Sequence, residues 1–346
     1  MSLGKVCVSG STYREFVRTE LTEAGCDLVL GKSDEDFPQH RYTDAAMVEL
    51  IGDADILLVP TRDRVSRAVL AACPRLRAVV KGSIGVDKVD IDAASELGIL
   101  VCNSPAPENF IGLAEATVGL IVDLFKRLKF NEEAIRTGGW KKDKNVGELM
   151  LGRTVGFIGM GRVGRNVAQR FQGWGLRLIA HDPYIKASEV AGLGVELTDL
   201  QYLLQEADVV TVHVVMTPET HRMLGYEEFR MMKRTAYVVN TARGTALHQF
   251  ELAKALEEGL IAGAALDVFE DEPLPADDPL RSIDPTRLIL TPHIVGNNYE
   301  SRETGNRMAV KSVIALMHGR VPEDVLNPEA IPLWQERLLR LKRLIP

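Results

Sequence analysis

The stretch Val155-Gly156-Phe157-Ile158-Gly159-Met160-Gly161-Arg162-Val163-Gly164 constrains the fold of this chain more than any other. It carries G-x-G-x-x-G where an apolar strand, Thr154–Ile158, gives way to a helical pattern, Arg165–Trp174. The next strand-like run then ends in an acid, Asp182. Alone the pattern is weak, but in this context it is the fingerprint of a dinucleotide-binding βαβ unit. Gly159 permits the tight turn, Gly161 lets the backbone approach a pyrophosphate, and Gly164 lets helix and strand pack closely. A helix N-terminus offers unpaired N–H groups and partial positive charge to phosphates, so Arg162 and Val163 join the glycines as candidates. Asp182 is placed to accept hydrogen bonds from an adenosine ribose. Its charge repels a 2′-phosphate, and no arginine follows in Pro183, Tyr184 or Ile185, which favours NAD over NADP.

Strands and helices alternate on both sides of the fingerprint, the pattern of parallel sheets with crossover helices. Before it, strands are expected at Val6–Ser9, Asp27–Leu30, Ile56–Val59, Ala78–Lys81 and Leu100–Asn103, with helices at Glu15–Ala24, Ala45–Gly52 and Ile91–Leu97. A single helix, Gly112 to Phe130, has apolar residues on more faces than a surface helix needs and reads as buried between two domains. From Thr154 a second series follows: Thr154–Ile158, Leu176–His181, Val209–Val215, Ala236–Asn240, Ala264–Phe269 and Leu288–Thr291. Six strands alternating with helices match a doubly wound nucleotide-binding sheet. A helix from about Tyr299 to Met317 and an amphipathic tail at Arg337–Arg343 then return to the first part. The expected fold class is α/β, with two Rossmann-like or flavodoxin-like domains. A nucleotide-binding domain, residues 105–294, is inserted into a smaller substrate-binding domain, residues 1–104 with 295–346.

Bulk properties exclude other classes. The chain has 346 residues, 46% hydrophobic and 26% charged, with a formal net charge of −7. A nucleic-acid binder usually shows a basic surplus, and none exists here. No apolar run approaches the length of a membrane span, and the N-terminus lacks the apolar core of a secretion signal. Cys7, Cys26, Cys73 and Cys102 are scattered, so a reduced, cytoplasmic setting is expected and a metal site is not.

Ligands of open α/β sheets sit beyond the carboxyl ends of the strands. In the second series those ends bear Thr217 and Pro218, then Thr241, Ala242, Arg243 and Gly244. Asp267 and Glu270-Asp271-Glu272-Pro273 come next, and finally Pro292 and His293. An arginine, several carboxylates and a histidine are parts for carboxylate recognition and proton transfer. Asp267, flanked by Leu266 and Val268, is costly to bury without a partner. His181 reads as a half-exposed strand end and His213 as a hydrogen-bonded core residue.

From about Val79 to Met308 the chain resembles the D-isomer-specific 2-hydroxyacid dehydrogenases. The likeness is carried by Lys81-Gly82-Ser83-Ile84-Gly85-Val86-Asp87-Lys88-Val89-Asp90 and the glycine fingerprint. Asn240-Thr241-Ala242-Arg243-Gly244, Asp267 through Pro273 and Thr291-Pro292-His293 complete it. The resemblance implies that Arg243 grips the substrate carboxylate and reacting oxygen, that His293 is the acid/base, and that Glu272 is its partner. It implies that Asp267 holds the nicotinamide carboxamide and that the N–H groups of Ser83, Ile84 and Gly85 bind the substrate carboxylate. It also implies a homodimer joined through the nucleotide-binding domain. Pro218, Thr241 and Ala242 complete the cofactor candidates.

The implied reaction interconverts a D-2-hydroxy acid and its 2-keto acid with NAD. The implied substrates are glycerate, hydroxypyruvate or phosphoglycerate, and the form is a short one without a regulatory domain. Glutamate rather than glutamine at position 272 argues against formate chemistry. A phosphonate dehydrogenase and an NAD-sensing corepressor are the alternatives on the same fold. Phosphoglycerate enzymes carry an arginine where Pro60 stands; Arg62 and Arg64 read as surface charges, with phosphate binding as the alternative. After His293, Asn297 and Asn298 stand where small residues are usual, and they are expected to contact a polar, hydroxylated substrate.

Overall fold

The computed structural model describes residues 2–10, 14–32, 40–60, 63–142 and 146–343. The chain divides into two compact units, Met1–Glu108 with Tyr299–Pro346, and Asn109–Asn298. The divisions fall a few residues beyond the expected ones, the second where the Tyr299–Met317 helix begins.

The first unit is built on β1 (Gly4–Val8), β2 (Cys26–Leu30), β3 (Ile56–Val59), β4 (Ala78–Lys81) and β5 (Leu100–Cys102). All are parallel, in the order β2-β1-β3-β4-β5, so the order reverses between β1 and β3. Strands covered on both faces read as unbroken apolar runs, which is why Ile56-Leu57-Leu58-Val59 shows no alternation. The pleat still sorts them. Ile56 and Leu58 pack with Val310, Val313 and Trp334 of the C-terminal helices, while Leu57 and Val59 pack with Met47, Ile51, Val69 and Leu70. Thr43, Ser66 and Asp90 cap the Asp44–Ile51, Arg67–Ala72 and Ile91–Glu96 helices by accepting from Ala46, Val69 and Ala93 N–H. The expected amphipathic tail is the end of a longer helix, Ile331–Arg343, whose Trp334 is almost wholly buried in this unit. Asn327 ties the returning segment to the sheet edge: its Oδ1 accepts from Val101 N–H at 2.8 Å and its Nδ2 donates to Ile99 O at 2.9 Å.

The second unit has seven strands: β6 (Thr154–Ile158), β7 (Arg177–His181), β8 (Val195–Leu197), β9 (Val209–Val212), β10 (Tyr237–Asn240), β11 (Gly263–Leu266) and β12 (Leu288–Leu290). They are parallel in the order β12-β11-β10-β9-β6-β7-β8. The sequence pattern predicts six. The addition is β8, whose three residues are too few to show a period. The switch of direction lies between β6 and β9, the place where such sheets bind dinucleotides.

The expected single helix from Gly112 to Phe130 is two, Pro107–Lys126 and Leu128–Arg136. Arg127 breaks it with φ 54°, and the Asp123 carboxylate accepts from Lys129 N–H at 2.9 Å, which starts the second helix afresh. The first helix buries the stripe Ala114, Thr117, Ile121, Leu124 and Phe125, with Val118, Leu120 and Val122 partly buried beside it. That stripe packs on Val155 and Phe157 of β6.

Candidate active site

The glycine loop joins β6 to the Arg162–Arg170 helix. Its three glycines have different reasons for being glycine. Gly159 has φ 93°, and a Cβ there would lie 2.7 Å from His213 O. A Cβ on Gly164 would lie 2.5 Å from Gly159 O, so helix and turn could not close. Gly161 has an ordinary φ of −71°, and a Cβ would meet nothing within 4 Å. Among the described residues no neighbour demands glycine there. The open space lies beside the first N–H groups of the helix, including those of Arg162 and Val163, which have no intrahelical acceptor. This is the cradle a pyrophosphate requires. Asp182, at the end of β7, faces the same loop: its Oδ2 accepts from Met160 N–H at 2.9 Å and its Oδ1 from Tyr184 N–H at 3.0 Å.

A histidine–carboxylate pair is formed beyond the ends of β11 and β12. His293 Nδ1 lies 2.9 and 2.8 Å from the two Glu272 carboxylate oxygens. That hydrogen bond is the main reason the imidazole titrates above its ordinary range; partial burial and the Arg243 charge work the other way. Glu272 is itself aimed by Phe269 N–H, which donates to its Oε1 at 3.2 Å. Glu270 is committed elsewhere, to Arg222 at 2.9 and 3.1 Å. Asp271 is exposed, so of the acidic run only Glu272 meets the histidine.

His293 stands in a left-handed conformation, φ 50°. Asp267 holds it there. The Asp267 Oδ1 accepts from Thr291 Oγ1 at 2.7 Å and Ile294 N–H at 3.0 Å, and Oδ2 accepts from Val295 N–H at 3.3 Å. These bonds offset the cost of a carboxylate that is 1% exposed; burial still pushes its pKa up. Asp267 thus organises the histidine loop, whatever else it contacts.

Arg243 follows β10 and is half-buried. Asn240 shapes its turn, donating from Nδ2 to Arg243 O at 2.8 Å and accepting from Ala242 N–H at 3.0 Å. Gly244 explains the Arg-Gly pair: a Cβ there would lie 2.0 Å from the Phe269 carbonyl. Only glycine lets the arginine turn lie against the chain that leads to Glu272. Thr241 is buried with its hydroxyl 2.9 Å from that of Thr117, and Ala242 packs on the core. Pro218 is exposed in a turn tied by Thr217 and Thr220.

In the first unit, the loop after β4 has its carbonyls taken. Ser104 Oγ donates to Lys81 O at 2.9 Å, Ser104 N–H to Ser83 O at 3.1 Å, and Asn103 Nδ2 to Ile84 O at 2.9 Å. Among the described residues the N–H groups of Ser83, Ile84 and Gly85 have no acceptor. A turn with its carbonyls tied back and successive N–H groups free is an anion cradle. Asn103 and Ser104 were missed from the sequence, although the strand-end rule applied to the second sheet finds them when applied to β5.

The remaining expectations meet mixed outcomes. Asn298 is half-buried against Gly112, and Asn109 Nδ2 donates to Gly296 O at 2.9 Å. This segment is therefore a strap on the Pro107–Lys126 helix, while Asn297 is exposed. Arg62 lies outside the described residues and Arg64 is exposed. His181 Nδ1 lies 3.2 Å from Thr198 O. His213 Nε2 lies 3.0 Å from Thr211 Oγ1, and burial pushes its pKa down to about 3, so it stays neutral.

Comparison with known proteins gives a consistent result. The profile of the D-isomer specific 2-hydroxyacid dehydrogenase NAD binding domain matches residues 118–295. The chain is 37% identical over 332 residues to a glyoxylate reductase of Korarchaeum cryptofilum, covering 92% of this chain and 97% of that protein. It is 36% identical over 301 residues to a D-3-phosphoglycerate dehydrogenase of Methanocaldococcus jannaschii, covering 87% of this chain but 56% of that protein. Among solved structures, the TT0316 protein from Thermus thermophilus superimposes with a TM-score of 0.83 at 32% identity, over 93% of this chain and 99% of that one.

Proposed function

The chain belongs to the D-isomer specific 2-hydroxyacid dehydrogenase family, and on that premise we propose that it reduces a small, polar 2-keto acid to its D-2-hydroxy acid, using NADH rather than NADPH. The observation that carries this reading is the His293–Glu272 pair at 2.8–2.9 Å, with Arg243 close enough to oppose its protonation. The nicotinamide dinucleotide, when bound, supplies the hydride that reaches the keto carbon. The chain's own residues manage the charge that develops on the keto oxygen. Arg243 binds the carboxylate and that oxygen, and the imidazolium of His293 stabilises the oxygen and then delivers the proton. Glu272 raises the imidazole pKa, which favours the imidazolium, and fixes the ring through Nδ1, leaving Nε2 for the substrate. In the oxidative direction neutral His293 is the base.

The substrate carboxylate is assigned to the N–H groups of Ser83, Ile84 and Gly85. The dinucleotide is assigned to Gly159, Gly161, Gly164, Arg162, Val163 and Asp182, since the Gly161 cradle fits a pyrophosphate. NADH is preferred because the Asp182 carboxylate repels a 2′-phosphate. Glyoxylate and hydroxypyruvate are the substrates of first choice. Glyoxylate reductases align along nearly their whole length, and both molecules are small enough to be held mainly by their carboxylate. We also place a homodimer contact on the second unit, where Leu128, Ile135, Leu149 and Leu151 are exposed apolar side chains. The four unpaired, buried cysteines suit a reducing compartment such as the cytoplasm.

A panel of 2-keto acids with NADH and with NADPH, followed by coenzyme absorbance, tests the reading. Glyoxylate or hydroxypyruvate turnover with NADH is the expected result. Tight NADH binding with no oxidation by any keto acid would move the protein to a coenzyme sensor, and turnover of phosphite would move it to phosphonate chemistry.

A further inference from the structure

The first sheet holds a buried charge that the proposed mechanism does not use. Lys81 is the last residue of β4, an otherwise apolar strand, and is 1% exposed. Its Nζ donates to Pro60 O, just past the end of β3, at 2.8 Å. The register of the two strands sets Val59 beside Lys81, so the lysine bridges the two neighbouring strand ends. Asp63, in the loop after β3, is equally buried and accepts from Ser9 Oγ, just past the end of β1, at 2.8 Å. Its charge favours the ammonium form of Lys81. The cluster therefore gathers the ends of β1, β3 and β4, at the point where this sheet's strand order reverses. The next residue after Lys81 opens the loop whose Ser83, Ile84 and Gly85 N–H groups form the anion cradle.

Burying a lysine and an aspartate is expensive, and apolar residues of similar size would fill the space at no such cost. A charge kept there needs a reason that packing does not supply. We propose that Lys81 is a positioning residue for the substrate-carboxylate cradle: it clamps the loop after β3 to the root of the loop after β4, and its charge balances Asp63 beside an anion site. This rests on the assignment of the Ser83–Gly85 N–H groups to the substrate carboxylate.

The clamp has a pH limit. Burial pushes the Lys81 pKa down to about 8, against the pull of Asp63 and Asp87, while Lys88 adds to the push. Cys7, whose pKa is also influenced by Asp63, is pushed up to about 12 and stays neutral. Below about pH 8 the ammonium offsets Asp63. Above it, the Asp63 charge loses that offset near the site that must hold a carboxylate. Losing the Lys81 charge then lowers substrate affinity, separately from the break that the titration of His293 sets in kcat.

The test uses the full chain with glyoxylate as the probe, measuring KM and kcat separately across neutral and alkaline pH for wild type, Lys81→Met, Lys81→Arg and Asp63→Asn. Thermal melting and NADH affinity serve as controls. Lys81→Met is expected to raise KM about tenfold at neutral pH with kcat and NADH affinity nearly unchanged, the signature of lost uniform binding. Lys81→Arg, which stays charged, is expected to keep KM low and to move its alkaline rise to higher pH, while the break in kcat set by His293 stays in place. An unchanged KM in folded Lys81→Met, or a KM rise at the wild-type pH in Lys81→Arg, overturns the proposal. If Lys81→Met does not fold, Lys81→Arg and Asp63→Asn carry the comparison, and Asp63→Asn must flatten the alkaline rise. Wild-type protein that turns over no 2-keto acid overturns the cradle assignment as well; normal wild-type turnover with indifferent variants overturns the Lys81 role alone.

Discussion

Replacing Gly161 and Gly159 by alanine, one at a time, separates what the glycine loop does for the fold from what it does for a coenzyme. At Gly159 the backbone is left-handed, φ 93°, which costs an L-residue about 1–2 kcal/mol. The new Cβ would also sit 2.7 Å from the His213 carbonyl oxygen, a backbone atom that cannot swing aside. Overpacking of that kind costs about 1–3 kcal/mol. The sum is roughly 2–5 kcal/mol, and at about 2–4 °C per kcal/mol Tm falls by roughly 4–20 °C. At Gly161, φ is −71° and, among the described residues beyond its chain neighbours, no atom lies within 4 Å of the new Cβ. Reducing unfolded-state freedom gains about 0.4–1 kcal/mol. Losing glycine at the N-cap costs about as much, on the order of 0.5–1 kcal/mol. The two nearly cancel, so Tm should move by no more than about 2–4 °C. On the proposed coenzyme site, however, NADH brings its pyrophosphate into the space the methyl group now fills. Its Kd should rise at least about tenfold, or ~1.4 kcal/mol. Thermal melting and NADH fluorescence titration read the two effects on the same samples. A Gly161→Ala protein that melts like Gly159→Ala, or binds NADH like wild type, would refute the division of roles.

Four further outcomes follow from the site. His293→Ala should lower kcat for keto-acid reduction by about 10²–10⁴-fold with little change in NADH affinity; wild-type turnover in that variant removes His293 as the acid. Reduction needs the imidazolium, so its rate should fall as pH rises through the raised His293 pKa, and oxidation should rise there. In Glu272→Gln, which loses the main cause of that shift, both breaks should move to lower pH. The pair's contribution to stability has the same sign, present at low pH and lost as pH rises through the raised pKa, but exposure of both side chains keeps it small. Asp182→Ala should narrow the preference for NADH over NADPH in kcat/KM, and an unchanged ratio would show that the carboxylate does not govern it. Gly244→Ala should unfold the arginine turn or displace Glu272, because its Cβ would lie 2.0 Å from the Phe269 carbonyl; a stable variant with normal kcat argues against that packing.

Much of this protein is legible in one dimension because its chemistry sits where parallel strands end. The runs that become β3 and β4 are found with their bounds, since strands buried on both faces must be apolar throughout. Arg243, His293 and the acidic run Glu270-Asp271-Glu272 stand out because polar residues after such runs face the ligand edge, and the family resemblance picks Glu272 from that run. The break at Arg127 was not legible, since a positive φ at a non-glycine residue has no compositional sign. Neither was β8, which is strand only through its pairing with β7.

The sequence by itself determined the alternation of elements, the glycine turn and the order of charged residues along one sheet edge. These are local consequences of side-chain periodicity and backbone freedom. Only the tertiary structure decided that Asp267 is spent on the His293 loop, that Glu270 is spent on Arg222, and that Lys81 and Asp63 lie buried at the ends of β4 and β3. Those outcomes depend on which strand ends are neighbours. Neighbour relations arise from the crossover order of the sheets, brought together across many residues of sequence, and no local pattern encodes them.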